Sequence, residues 1–551
     1  MPRRPLPETR DLARRTVLAA IGLLPLHLAA QPGGQAGTRV EIIGADEWRF
    51  DEHIAPGAQR LKGNVRFRHG TALMYCDSAY LFSDQRVEAF GHVRVVQADS
   101  LHLHGDHLVY VGDDRIARMT GAVVLEDPSM RLETTAITHE LRAHRAVYDQ
   151  GAVVTARDGH VLTSRHGVYH TGQRLFIFSR EVRIDHPDRR ITGDSVHYAT
   201  PTGIAELIGP STVLIKADST VIHTLRGRYD TQQELARATA RSTISNDGRS
   251  LAGDSLWYDR RQDLGRAWGH VVMHDPHDRS TGTGAYGQYN ATAQRGYITG
   301  RAEMALDQDG DTLFLHADTI FTSVTAIHDS TGTQATARRM DAHRNVRFFK
   351  SDMQGVCDTL VHDAADSVLH LNHRPAVWSG TDQITGRQLR IRLRDGRAHR
   401  LHVDDDAFLM SMVDSTRFDQ VAGREMTGHF DADGLERILV EGNGRTIYHV
   451  REQKDGEEEM IGMNYAECSR ILLRMDDGHI STVTFMDRPD AMLYPVDKVP
   501  ADKRWIDGAL WRGDERPADR AGIFHRPAGT TASPHAEGAP HGGIKAGAPL
   551  H

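Results

Sequence analysis

Three cysteines in 551 residues, Cys76, Cys357 and Cys468, are too few for a disulfide framework. Aromatic residues make up only 6% of the chain. A membrane-spanning β-barrel needs aromatic girdles at both interfaces, so this scarcity argues against one. No strong charge of either sign is present. The net charge is −8 and the pI is about 6.5, without the basic stripe of a nucleic-acid binder. Long apolar runs are missing beyond residues 16–30, and mean hydropathy is −0.47, which fits a folded soluble chain. Before about residue 500, no stretch of ten or more residues keeps a helical period without a glycine interrupting it. No nucleophile elbow, Walker loop, paired-carboxylate signature or paired Cys-x-x-Cys occurs. The sequence therefore calls for no enzyme activity, no cofactor and no metal.

What is present begins with a basic, then apolar, N-terminus. Arg3, Arg4, Arg10, Arg14 and Arg15 precede the apolar run, and Leu28-Ala29-Ala30 offers small residues for cleavage. Residues 1–30 read as an export signal, too short for a comfortable membrane span. The first cysteine lies far beyond it, which leaves no lipid-anchor site. An odd cysteine count in an exported chain cannot all pair internally. Cys76-Asp77 and Cys357-Asp358 look like equivalent positions of two repeats, and buried small residues are a better reading of them than a disulfide.

The body of the chain is periodic. Gly63-Asn64-Val65, Gly91-His92-Val93, Gly121-Ala122-Val123 and Gly151-Ala152-Val153 recur at steps of 28, 30 and 30 residues, and Gly269-His270-Val271 repeats the phrase. A second phrase runs out of phase with it: Gly105-Asp106-His107-Leu108-Val109-Tyr110, Gly193-Asp194-Ser195-Val196-His197-Tyr198 and Gly253-Asp254-Ser255-Leu256-Trp257-Tyr258. Tyr169, Tyr198, Tyr229, Tyr258 and Tyr289 keep the same beat. Between the glycines, apolar and polar residues alternate with period two, as in Val65 and Phe67 against Asn64, Arg66 and Arg68. That is the pattern of a strand with one buried and one wet face. A unit of about 30 residues cannot bury its apolar face alone, so copies must stack into an elongated all-β array with a continuous apolar seam. The repeated Asp106, Asp194 and Asp254 read as turn and bend residues, because catalysis needs one constellation rather than a ladder of it.

Rarer motifs yield to the same pattern. Gly282-Thr283-Gly284-Ala285-Tyr286-Gly287 matches G-x-G-x-x-G, but no helix follows and Gly284 sits on the repeat beat. His102, His104 and His107 form a tempting metal cluster, yet His102 and His104 alternate with Leu101 and Leu103 and read as the solvated face. Asp307 to Asp311 and Asp404 to Asp406 read as turns.

Arg344-Asn345-Val346-Arg347-Phe348 echoes Gly63-Asn64-Val65-Arg66-Phe67, and each is followed 13 residues on by its Cys-Asp pair. A first array over 31–330 and a second, divergent one over 340–500 are expected, joined near 331–337. Residues 501–551, rich in Pro, Gly, Ala and His toward the end, read as a disordered tail.

The phrases Leu61-Lys62-Gly63-Asn64-Val65-Arg66-Phe67, Ala89-Phe90-Gly91-His92-Val93 and Gly193-Asp194-Ser195-Val196-His197-Tyr198 resemble the OstA-like domain, the family of the periplasmic lipopolysaccharide-transport protein LptA and of the periplasmic part of its partner LptD. Glu41-Ile42-Ile43-Gly44-Ala45-Asp46 resembles that domain's opening. The resemblance covers residues 40–324 well and 341–495 less clearly. It implies an open, twisted β-jellyroll of V-shaped strand pairs that shelters lipid A acyl chains on the way to the outer membrane. It implies a periplasmic chain of a Gram-negative cell, associated with lipopolysaccharide and, through its edge strands, with other OstA-fold transport proteins including an outer-membrane translocon; no nucleic acid is expected. This chain is longer than a simple bridge protein and lacks its partner's aromatic barrel. Alternation places Val65, Phe67, Tyr80, Phe82, Val93, Val95, Leu108, Tyr110, Val123, Leu125, Tyr198 and Tyr258 in the groove. A non-catalytic envelope scaffold is the alternative, ahead of a β-helix polysaccharide-active enzyme.

Overall fold

The computed structural model describes residues 39–525 except 51–52, 54–55, 98–100, 158, 309–310, 329–333, 395–396, 432–433, 455–456 and 477–478. The signal segment and residues 526–551 lie outside it. The described chain is one antiparallel sheet in which most strands pair with their immediate predecessor and successor. Ala58–His69 is followed by Ala72–Phe82, Arg86–Gln97, Leu101–Val111, Ile116–Glu126 and Met130–Glu140, each zipped to the next. The only helices among the described residues are short 3-10 turns after Pro495.

Nearly every long strand is interrupted at its middle. The pairing shifts between Lys62 and Val65, Phe90 and Val93, Thr120 and Val123, and Trp268 and Val271, so the glycine phrase is a β-bulge. Gly91 and His92 both take the left-handed region, with φ of 75° and 41°. Glycine enters it freely; a residue with a Cβ needs support. The support comes from the second phrase. Asp77 of the preceding strand accepts a hydrogen bond from His92 Nδ1 at 2.7 Å, which lifts the imidazole above its ordinary pKa. Asp46 accepts from Asn64 (2.9 Å), Asp106 from the Ala122 amide (3.0 Å), and Asp254 from His270 (2.6 Å). The two phrases thus meet in space, the aspartate of one strand stapling the bulge of the next. A Cβ on Gly121, whose φ is 104°, would lie 2.2 Å from Asp106 Oδ2. Gly121→Ala should therefore cost about 1–3 kcal/mol, read as a lowered thermal midpoint. Asp106→Ala, which only removes an exposed staple, should cost less than Gly121→Ala. Equal costs would mean that the bulge does not depend on glycine.

The bulges fold each strand so that its two halves face each other across the core. On the inner side of the crease, small polar residues satisfy carbonyls freed by the bend. Ser164 Oγ donates to His166 O (2.9 Å), Ser211 to Gly209 O (3.0 Å), Thr224 to Arg226 O (3.0 Å) and Ser242 to Ala240 O (2.7 Å). Cys357 Sγ donates to Thr359 O at 3.4 Å and Cys468 Sγ to Arg470 O at 3.1 Å, the same two-residue reach. Cys76, paired with Val65, holds the first copy of this position. All three cysteines are free, and burial pushes the Cys76 thiol up to about 12.

The two arrays form one sheet. Asp311–His328 pairs with Gln334–Phe349 from Phe314↔Phe349 to His328↔Gln334, so strands on either side of the expected join are zipped together; residues 329–333 lie outside the described residues. One apolar cluster runs from Val40 to Ile480.

The tail departs from expectation. Residues 501–525 are not a disordered segment. With 496–500 they form a strap that crosses the outer face of the second half. Ile506 is buried, and Trp511 packs against Phe418 and beside Trp378. Two buried glutamines read its backbone in the same way. Gln420 donates to Arg504 O (3.0 Å) and accepts from Ile506 N (2.9 Å). Gln383 donates to Leu510 O (2.8 Å) and accepts from Arg512 N (2.6 Å). Each amide brackets one tryptophan, Trp505 or Trp511. Arg516 reaches Gln354 and Gly380 O, and Arg520 reaches Glu303. The strap explains why strands such as Ala407–Met412 and Phe418–Gly423 are buried on both faces while earlier strands alternate.

Candidate functional site

The seam between the folded halves is the candidate site. Ten of the twelve positions expected there point inward and are buried: Val65, Phe67, Val93, Val95, Leu108, Tyr110, Val123, Leu125, Tyr198 and Tyr258. Tyr80 and Phe82 take the opposite face, a correction to the alternation reading. In Ala72–Phe82 the inward residues are Ala72, Met74 and Cys76 before the crease and Ala79 and Leu81 after it. The irregularity at Asp77-Ser78 switches the phase of the alternation. Tyr80 instead meets Phe90 edge to face, and Phe82 lies under the Arg86 guanidinium.

One row across the seam is ordered by side-chain size. Register places Tyr198 opposite Ala205, Ala205 opposite Tyr229, Tyr229 opposite Ala236, Ala236 opposite Tyr258, Tyr258 opposite Gly265 and Gly265 opposite Tyr289. Each ring covers a small neighbour, which lets rings at two-strand spacing fill one layer. The row continues upstream through Phe176 and Tyr169, stacked at 4.1 Å, then Ala146, His139, Ala117 and Tyr110.

The mouth of the seam is fastened by polar contacts between opposite halves. Tyr110 OH meets His69 Nδ1 at 2.7 Å. Tyr169 OH donates to the Asp127 carboxylate. Arg338 Nη1 reaches Asp275 at 2.8 Å and also pairs with Asp278. Burial raises the Tyr110 phenol to about 12, so it stays a neutral hydrogen-bonding group. Behind Tyr110 and His69, beside Val40, Phe67, Met74 and Val95, lies a cavity of about 20 Å³, enough for about one water. At this place the seam is filled by side chains.

The two ends of the sheet are different. Among the described residues, Glu41–Gly44 and Glu47–Phe50 pair on one side only, with Ala58–His69, and Ile43, Trp48 and Phe50 are exposed. Among the described residues, His479–Met486 and Asp490–Pro495 pair only with Glu457–Asp476, and Met492 and Leu493 are exposed. Of the histidines considered for metal binding, His107 bonds Glu88 (3.1 Å) and stacks on Phe90. Gly284 pairs with Val271 at a crease, as its place on the repeat requires.

These features define an array of bulge-folded antiparallel strands around a continuous apolar seam. Residues 37–194 match the family model described as OstA-like protein. Among solved structures, it is similar to the crystal structure of LptH from Pseudomonas aeruginosa, described as the LptA homologous periplasmic component of the conserved lipopolysaccharide transport device. Identity is 13% and the TM-score 0.20, and the match covers 26% of this chain and 95% of that one. The comparison with curated proteins gave no match.

Proposed function

We propose that this chain is a non-catalytic periplasmic carrier of lipopolysaccharide, holding lipid A acyl chains in the seam on the way to the outer membrane. The OstA-like match, together with one apolar cluster that runs along the seam from Val40 to Ile480, carries the reading. Acyl burial contributes about 0.8 kcal/mol per methylene, enough to offset the parting of a few latches between the halves. The open edges at Glu47–Phe50 and Asp490–Pro495 suit strand addition by other OstA-fold transport proteins, including an outer-membrane translocon. The filled seam favours a second reading, a structural bridge that keeps the fold without carrying lipid.

A photo-crosslinking residue at Phe67 or Val95 distinguishes the two. In cells the carrier captures lipopolysaccharide from these inward positions and not from Arg66. Capture from Arg66 alone refutes the seam as the binding surface, and no capture from any of the three leaves the bridge.

A further inference from the structure

The strongest departure from the repeat lies between Glu181 and Thr243, and it opens a cleft on the outer side of the crease. Where other copies carry Gly-Asn-Val, Gly-His-Val or Gly-Ala-Val, this stretch has Arg180-Glu181-Val182 and then Gly209-Pro210-Ser211. Pro210 has neither an amide proton nor a polar side chain. Asp194, which sits where Asp106 accepts from the Ala122 amide, therefore lacks its staple and makes no side-chain hydrogen bond or ion pair among the described residues. On the next strands the crease is crossed by the exposed Leu225 and by Arg241. The result is a concave surface of about 590 Å³, bordered by Glu181, Asp194, Leu225 and Arg241.

Its floor is a polar row in register. Arg183 pairs with Thr192, Thr192 with Thr212, Thr212 with His223, and His223 with Thr243. Neighbouring strands lie about 4.8 Å apart. The row thus offers hydroxyls, an imidazole and a guanidinium at a regular interval close to the length of one sugar ring. Thr212 Oγ1 and His223 Nδ1 hold each other at 3.0 Å, which fixes both groups without using their remaining capacity. Arg241 is held by Asp254 and His270 O, so its guanidinium is positioned from behind.

We propose that this cleft binds a glycan chain laid across the strands. Sugar hydroxyls both donate and accept, which matches a floor of hydroxyls and imidazole. The unstapled Asp194 carboxylate accepts from a pair of sugar hydroxyls, and Leu225 offers an apolar surface to a ring face. The site is on the outer surface, apart from the lipid seam, and does not depend on the seam carrying lipid.

The test uses the purified full-length chain and two probes: the soluble core oligosaccharide released from lipopolysaccharide by mild acid, and a linear β-1,4-linked hexasaccharide. Saturation-transfer NMR and calorimetry should show binding of at least one. Asp194→Asn, and separately Thr192→Val with Thr212→Val, should each weaken it about tenfold, the loss expected for one charged or two neutral hydrogen bonds. Valine keeps the shape and strand preference of threonine, and circular dichroism checks that the sheet is intact. Glu206→Ala, outside the cleft, should leave binding unchanged. No binding of either probe, or binding indifferent to the cleft variants, overturns the proposal. So does full competition by inorganic sulfate, which would mark a simple anion site. Lipid crosslinking at Phe67 is read separately, so either proposal can fail alone.

Discussion

A chain ended at Val499 should lose on the order of 5 kcal/mol of stability in its second half and bind more of a fluorescent apolar dye than the full chain does. The strap buries Ile506 and packs Trp511 between two apolar clusters, and burying a large apolar side chain contributes about 1.5–3 kcal/mol. Truncation also strands Gln383 and Gln420. Each is about 1% exposed and spends its side-chain amide on the strap backbone. A buried polar group left without its partner costs about 1–3 kcal/mol. Trp378 would retain its bond to Gln383 Oε1 at 3.2 Å but lose the Trp511 ring above it. Because the sheet stacks copies that contact mainly their neighbours, the loss should stay local. Hydrogen exchange should accelerate in Ala376–Ser379, Ala407–Met412 and Phe418–Gly423 and remain slow in Arg86–Gln97. Uniform acceleration along the sheet, or none, would refute the strap's role. A subtler variant, Gln383→Leu, should reproduce part of the loss without shortening the chain.

The strap also shows where sequence reading stops. Its residues lack a period, and the signal that orders them is the mate on the other side of the contact: Gln354, Gln383 and Gln420 are unremarkable polar letters until Arg516, Leu510 and Arg504 stand over them. The repeat itself was legible, because glycine and aspartate at fixed spacing state a backbone requirement. That the Asp staples the next strand's bulge was not, since the pairing runs between copies. Seam positions followed the same rule. Val65, Phe67, Val93 and Val95 alternate on strands whose bulge of two residues preserves the phase, so period two found them. Tyr80 and Phe82 lie past the phase switch at Asp77-Ser78, and counting from Met74 put them on the wrong face. The inner crease hydroxyls carry no sequence signal, because a serine amid strand residues looks solvated until the freed carbonyl beside it is seen.

His139→Leu should remove a large acid sensitivity. His139 stands in the tyrosine row, between Ala117 and Ala146 and midway between Tyr110 and Tyr169. It is 2% exposed, and burial, aided by His144 and opposed by Glu140, lowers its pKa to about 4. The unfolded chain titrates near 6.5. Above 6.5 both states hold a neutral imidazole, and the folded state keeps its full stability. Between 6.5 and 4 the unfolded chain binds a proton that the folded chain refuses, so stability falls as pH falls. A difference of about 2.5 units corresponds to about 3 kcal/mol. Asp382 acts in the opposite sense. Burial raises its carboxyl to about 7, so stability from this group falls as pH rises from about 4 to 7 and is regained on acidification. The wild type therefore shows a sum of opposed slopes, and only the difference between wild type and His139→Leu isolates the histidine. In urea midpoints at pH 7.5, 5.5 and 4, the wild type should fall up to about 3 kcal/mol further between pH 7.5 and pH 4 than the variant does. Parallel profiles for the two proteins would mean that water reaches His139 in the folded state. The row would then be open at that point, and the seam looser between Tyr110 and Tyr169 than its packing indicates.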